Sequence, residues 1–173
     1  TSPPGGVNAP YVGDPIETMA ADLHDAYFSV AARNPAVTGV APAGDAWIRA
    51  IEEGVAVRNP YLAIEPAGQV SLWDQDPALA CCTTPIGYHP SSFGAYLSAL
   101  VLFAEITGVT PMQLGPHDRV ARDLGIPAGV AMALQRVAFT TVHCQLLPAD
   151  AAAGRDSRTP DGTADSVTGA SCR

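Results

Sequence analysis

Apolar residues recur every three or four positions in three long stretches of the chain, and that spacing predicts helices. In residues 16 to 33 the apolar face is Met19, Leu23, Tyr27 and Val30, with His24 beside it in a structural role. In the second stretch Phe93, Leu97, Leu100, Val101 and Ala104 share a side. Pro90 suits a first helical position there, Ser91 or Ser92 can cap free amides, and Gly108 followed by Pro111 supplies the stop near Thr107. The third stretch, residues 127 to 143, turns Val130, Leu134, Val137 and Ala138 toward a core. Shorter elements fall between them. Residues 36 to 42 read as a buried strand, residues 45 to 58 as a helix capped by Asp45, and residues 69 to 73 as a weaker strand. A turn of helix over residues 118 to 124 ends at Gly125 and Pro127. Helix and strand alternate, as in an α/β fold.

The most informative polar residue is His89, which directly precedes Pro90 and the second helix. A packed helix holds the loop that enters it while leaving a side chain on that loop open to solvent. An imidazole titrating near neutrality suits the taking and returning of one proton. His117 and His143 have no acid or nucleophile motif nearby and read as surface or packing residues.

The run Gly87-Tyr88-His89-Pro90-Ser91, continued by Gly94-Ala95-Tyr96-Leu97 and by Thr107-Gly108-Val109-Thr110-Pro111, resembles the last block of the SGNH hydrolases, the GDSL esterase/lipase family. In that block an Asp-x-x-His pair precedes Pro-Ser and the C-terminal helix of the catalytic domain. Upstream, Leu23-His24-Asp25-Ala26-Tyr27 and Val40-Ala41-Pro42-Ala43-Gly44-Asp45-Ala46-Trp47 resemble the helix and strand that lead to it. The likeness covers residues 15 to 115 and is most specific over 87 to 111. It implies the C-terminal part of a flavodoxin-like three-layer α/β/α domain, a catalytic His89, ester substrates such as acyl glycerides, acetylated sugars or polyester oligomers, and no cofactor or metal.

The chain departs from the family pattern twice. Ile86 stands three positions before His89, where the family has its aspartate. Taking residues 77 to 86 as an inserted loop restores the pattern as Asp76-Gly87-Tyr88-His89. Asp76 would then orient the His89 ring by accepting a hydrogen bond from the nitrogen facing away from the substrate, with Asp74 as the alternative acid. The family's nucleophilic Gly-Asp-Ser motif is also missing from the sequence: Gly13-Asp14-Pro15 and Gly44-Asp45-Ala46 carry proline and alanine where the hydroxyl belongs. Ser91 and Ser92 lie too close to His89 in sequence and read as helix caps, and Thr1 as an N-terminal nucleophile has no strand to hold it. A His-Asp pair without a nucleophile and oxyanion donors cannot transfer an acyl group, so the expected serine comes from an N-terminal segment of the same precursor. The competing expectation is a non-catalytic binding or assembly module on a degenerate scaffold of this type.

At 173 residues and 47% hydrophobic, the chain can bury one ordinary core. Residues 1 to 14 read as a linker, 15 to 147 as the domain portion, and 148 to 173 as a mobile or disulfide-tethered tail. The net charge is −8, and all nine basic residues are arginine, which disfavours nucleic acid and anionic membranes. No apolar run is long enough to span a bilayer. The cysteines at 81, 82, 144 and 172 form no Cys-x-x-Cys pair, which argues against structural zinc. Their even number suits disulfides in an exported bacterial protein, secreted or periplasmic, where one bridge would pin the inserted loop and hold Asp76 near His89. An isolated C-terminal part leaves a sheet edge and a helix face uncovered, so the N-terminal segment or a second copy of the chain is the expected partner.

Overall fold

The period running from Val130 to Ala138 forms the helix at the centre of the molecule. The computed structural model describes residues 15–59, 67–74 and 89–146. Along them run α1 (Ile16–Arg33), α2 (Ala43–Glu52), α3 (Ser92–Thr107), a 3-10 turn at Pro111–Gln113, α4 (Arg119–Asp123) and α5 (Ala128–Leu146). In α5, Ala131, Leu134, Gln135, Val137, Ala138, Thr140 and Thr141 are all buried, so only a narrow stripe of this helix meets solvent. Leu97, Leu100 and Val101 of α3 and Ala46 and Ala50 of α2 complete the same apolar cluster. Each fully buried leucine or valine contributes about 1.5–3 kcal/mol.

The helices follow the periodicity, but the strands do not form as such. Residues 36 to 42, expected as a buried strand, are irregular, and positions 36 to 39 are exposed. The cause is local: Asn34 takes the Ala36 amide on its side-chain oxygen at 3.1 Å and the Val37 amide on its carbonyl at 2.9 Å, so two would-be ladder donors are spent on a turn. The helix expected over 45 to 58 starts earlier and stops sooner. Its N-cap is Pro42, Asp45 lies inside the first turn, and the helix ends at Glu52 because Gly54 adopts φ 70°, reversing the chain. Residues 69 to 73 contribute only two isolated pairings, Val70 parallel to Ala56 and Trp73 antiparallel to Pro90. The described part of the chain is therefore helix-rich and contains no sheet.

Gly94 is where the short extended segment meets the helices. A methyl group placed on it would fall on the Leu72 carbonyl oxygen and lie 2.7 Å from the Trp47 ring. Only hydrogen fits between α3 and these two neighbours. We expect Gly94→Ala to cost about 2 kcal/mol or more by overpacking. Gly129→Ala, in α5 with nothing within 4 Å of the new methyl, should leave stability unchanged or raise it. Urea unfolding of the two variants measures the contrast.

A second lock is polar. The Tyr96 hydroxyl donates to Asp118 Oδ2 at 2.8 Å and accepts from Gln135 Nε2 at 2.9 Å, while Gln135 also donates to the Gly115 carbonyl at 3.0 Å. Asp118 caps α4 through the Val120 and Ala121 amides. The network therefore ties α3, α4 and α5 at one point. Burial pushes the Tyr96 phenol up to about 12, the Asp118 carboxylate adds to the rise, and the Gln135 hydrogen bond opposes it. The folded chain thus holds this proton more tightly than the unfolded chain, whose phenol titrates near 10.0. The resulting stability is intact below pH 10.0 and is lost as pH rises to about 12. Tyr96→Phe should remove that alkaline loss from a pH series of thermal unfolding curves, while lowering stability at neutral pH by about 1–3 kcal/mol through the hydrogen bonds that Asp118 and Gln135 each lose to the hydroxyl.

Candidate functional site

His89 sits at the start of α3, on a loop whose position is fixed by the segment carrying Asp74. The Asp74 amide donates to the His89 carbonyl at 2.7 Å and the Ser91 amide to the Leu72 carbonyl at 2.8 Å, one bond on each side of the Trp73–Pro90 pair. Ser91 closes the junction. Its hydroxyl donates to the Ser71 carbonyl at 2.7 Å and accepts the Gly94 amide at 3.2 Å, so one side chain caps α3 and clamps the neighbouring segment. Ser71 in turn donates its hydroxyl to the Trp73 carbonyl at 2.8 Å.

The result is an exposed imidazole-bearing residue held beside a half-buried Asp74. The structure joins Asp74 and His89 through their backbones. Asp76 and the inserted loop of residues 77 to 86 lie outside the described residues, as do Thr1, residues 1 to 14 and the tail beyond residue 146.

A second constellation was not legible as chemistry in the sequence. His24 Nδ1 lies 2.8 Å from Asp45 Oδ2, and the ring stacks on Phe28 with centroids 4.2 Å apart. An ionised carboxylate only accepts, so Nδ1 carries the proton in this contact. This pair borders a groove of about 510 Å³ between α1 and α2. Leu23 and Tyr27 of α1, Trp47 and Ile48 of α2, and Trp73 form its apolar walls. Trp47 and Trp73 meet edge to face at 5.1 Å and 81°, and the Trp47 indole donates to Ser98 Oγ at 3.0 Å. Trp73, which pairs with Pro90, therefore connects the groove to the His89 junction. His24, read as structural, and Asp45, read as a cap, lie 21 positions apart, and no local spacing marks them as partners.

The helix that supplies one groove wall is lightly held. None of the α1 side chains is buried, and Leu23, Tyr27 and Val30 are 45%, 64% and 52% exposed. Besides the His24–Asp45 contact, the exposed Glu17–Arg58 pair anchors α1, and the guanidinium holds the Glu17 carboxyl below its usual range.

The remaining singled-out residues have simpler surroundings. His117 is exposed, and His143 stacks on Phe139 with centroids 5.4 Å apart. Cys144 is disulfide-bonded. Among the described residues, no group of three or more His, Cys, Asp or Glu side chains is placed to hold a metal ion, and no helix is long and apolar enough to cross a membrane.

The chain matches no protein-family model, no curated protein and no solved structure. Ser91→Ala tests the junction: losing both the cap and the clamp should cost about 1–2 kcal/mol and speed amide exchange at Asp74 and Gly94 more than in α5, measured by hydrogen exchange.

Proposed function

We propose that the chain is the C-terminal part of an SGNH-type ester hydrolase, a flavodoxin-like α/β/α domain completed by a serine on an N-terminal segment of the same precursor. The observation that carries this reading is the 2.7 Å bond from the Asp74 amide to the His89 carbonyl, which keeps an exposed histidine beside an acid-bearing segment at the start of α3. In the proposed reaction His89 takes the serine proton as the hydroxyl attacks the ester carbonyl, then returns it to the leaving alcohol. Asp76, with Asp74 as the alternative, accepts a hydrogen bond from the ring nitrogen facing away from the substrate and so fixes the tautomer.

Three further features support the reading. Val70 pairs with Ala56 in the parallel sense, the kind of pairing a flavodoxin-like sheet uses. The uncovered apolar face of α1 suits a chain that docks against a preceding segment or a second copy. The disulfide at Cys144 suits an exported protein, secreted or periplasmic.

The second reading, a non-catalytic module on the same scaffold, rests on the lack of a Gly-Asp-Ser motif in the 173 residues. The full-length precursor distinguishes the two. Under the hydrolytic reading it is labelled by a fluorophosphonate and cleaves p-nitrophenyl butyrate, and His89→Ala lowers kcat about a thousandfold or more. Unchanged turnover in that variant removes His89 from the mechanism, and an unlabelled, inactive precursor favours the binding module.

A further inference from the structure

The exposed face of α1 matches itself when the helix is turned end for end. Met19, Leu23, Tyr27 and Val30 follow one another at intervals of four, four and three, and all four are exposed. That spacing draws an apolar stripe of the kind two helices share when they pack side by side. Ala26, exposed between Leu23 and Val30, lets two backbones approach closely at that point. The polar flank of the stripe changes sign along the helix. Asp22 and Arg33, both exposed, stand eleven positions apart, about three turns, so they lie on one side of the stripe with the base in the last turn. Arg33 Nη2 donates to Ser29 Oγ at 3.0 Å, which lays the guanidinium back over the preceding turn.

We infer that α1 is a self-docking surface and that two copies of the chain pair through it in the antiparallel sense, about a two-fold axis beside Ala26. Leu23 of one copy then meets Val30 of the other, and Asp22 of each meets Arg33 of its counterpart. Across such an axis the same flank faces itself, so the charge order along α1 selects the occupant. Antiparallel copies set acid against base twice, whereas parallel copies set Asp22 against Asp22. One pair of helices is a small interface, and a net charge of −8 makes the remaining surface mutually repulsive, so the dimer is weak and reversible. The inference names the partner of the docking face already described and uses no residue of the proposed hydrolytic machinery. Its test reads assembly instead of turnover, so failure of one reading leaves the other standing.

Sedimentation equilibrium of the 173-residue chain should show a monomer–dimer exchange with a dissociation constant on the order of 10 μM. Leu23→Glu, which buries a charge only when copies pair, should keep the chain monomeric up to about 100 μM at unchanged helical circular dichroism. Asp22→Arg alone and Arg33→Glu alone each place like charges together twice and should each weaken the dimer about tenfold. An equimolar mixture of these two variants restores both attractive contacts and should associate as tightly as the wild-type chain. A wild-type chain that is monomeric at about 100 μM overturns the inference and leaves the face to a preceding segment. A dimer that survives Leu23→Glu, or a mixture that associates no better than its components, overturns it as well. The mixture also separates lost pairing from lost folding, because a misfolded variant is not rescued by its counterpart.

Discussion

The approach of α3 to the Leu72 carbonyl is the constraint on which the rest of the structure depends. That oxygen accepts the Ser91 amide, and Gly94 passes so close to it that no side chain can intervene. The contact sets where α3 begins, and therefore where His89 stands relative to Asp74. It also brings the Trp47 ring against the first turn of α3, where its indole reaches Ser98 and its edge meets Trp73. One steric requirement, imposed on a single glycine, thus fixes both the histidine junction and the inner wall of the groove.

The molecule divides into a firmly held body and a lightly held helix. α2, α3 and α5 bury leucine, valine and alanine side chains against one another, and the Tyr96–Asp118–Gln135 network adds a directional tie that links α4 to the body. α1 relies on a histidine–aspartate contact and an exposed ion pair, interactions that contribute modestly in water. Such a division places the groove at the boundary between the firmly held body and the lightly held helix.

The helices were legible in the sequence because their period is local. Phe93 through Ala104 and Val130 through Ala138 announce their faces without reference to any other segment, and Ser91, Gly108 and Asp118 sit where caps and stops belong. Strands are different, since their hydrogen bonds belong to neighbours. Residues 36 to 42 have the composition of a strand, but among the described residues nothing lies beside them to complete a ladder, and Asn34 claims their first amides. Asp45 was misassigned for a related reason: cap propensity is local, whereas its bond to His24 spans 21 residues and follows from the packing of α1 on α2. The histidine at position 89 could be singled out by its neighbours in sequence, but its backbone bond to Asp74 depends on a return of the chain that no spacing rule predicts.

The exposed apolar face of α1 carries a thermodynamic corollary. A helix with no buried side chain can swing away from its support at small free-energy cost, so the space beneath it exists only while the helix is seated. Anything that covers that face, a small molecule in the groove or a docking polypeptide, stabilises the seated state by mass action. Because Met19, Leu23 and Tyr27 belong both to the exposed face and to the groove wall, two such occupants compete for one surface.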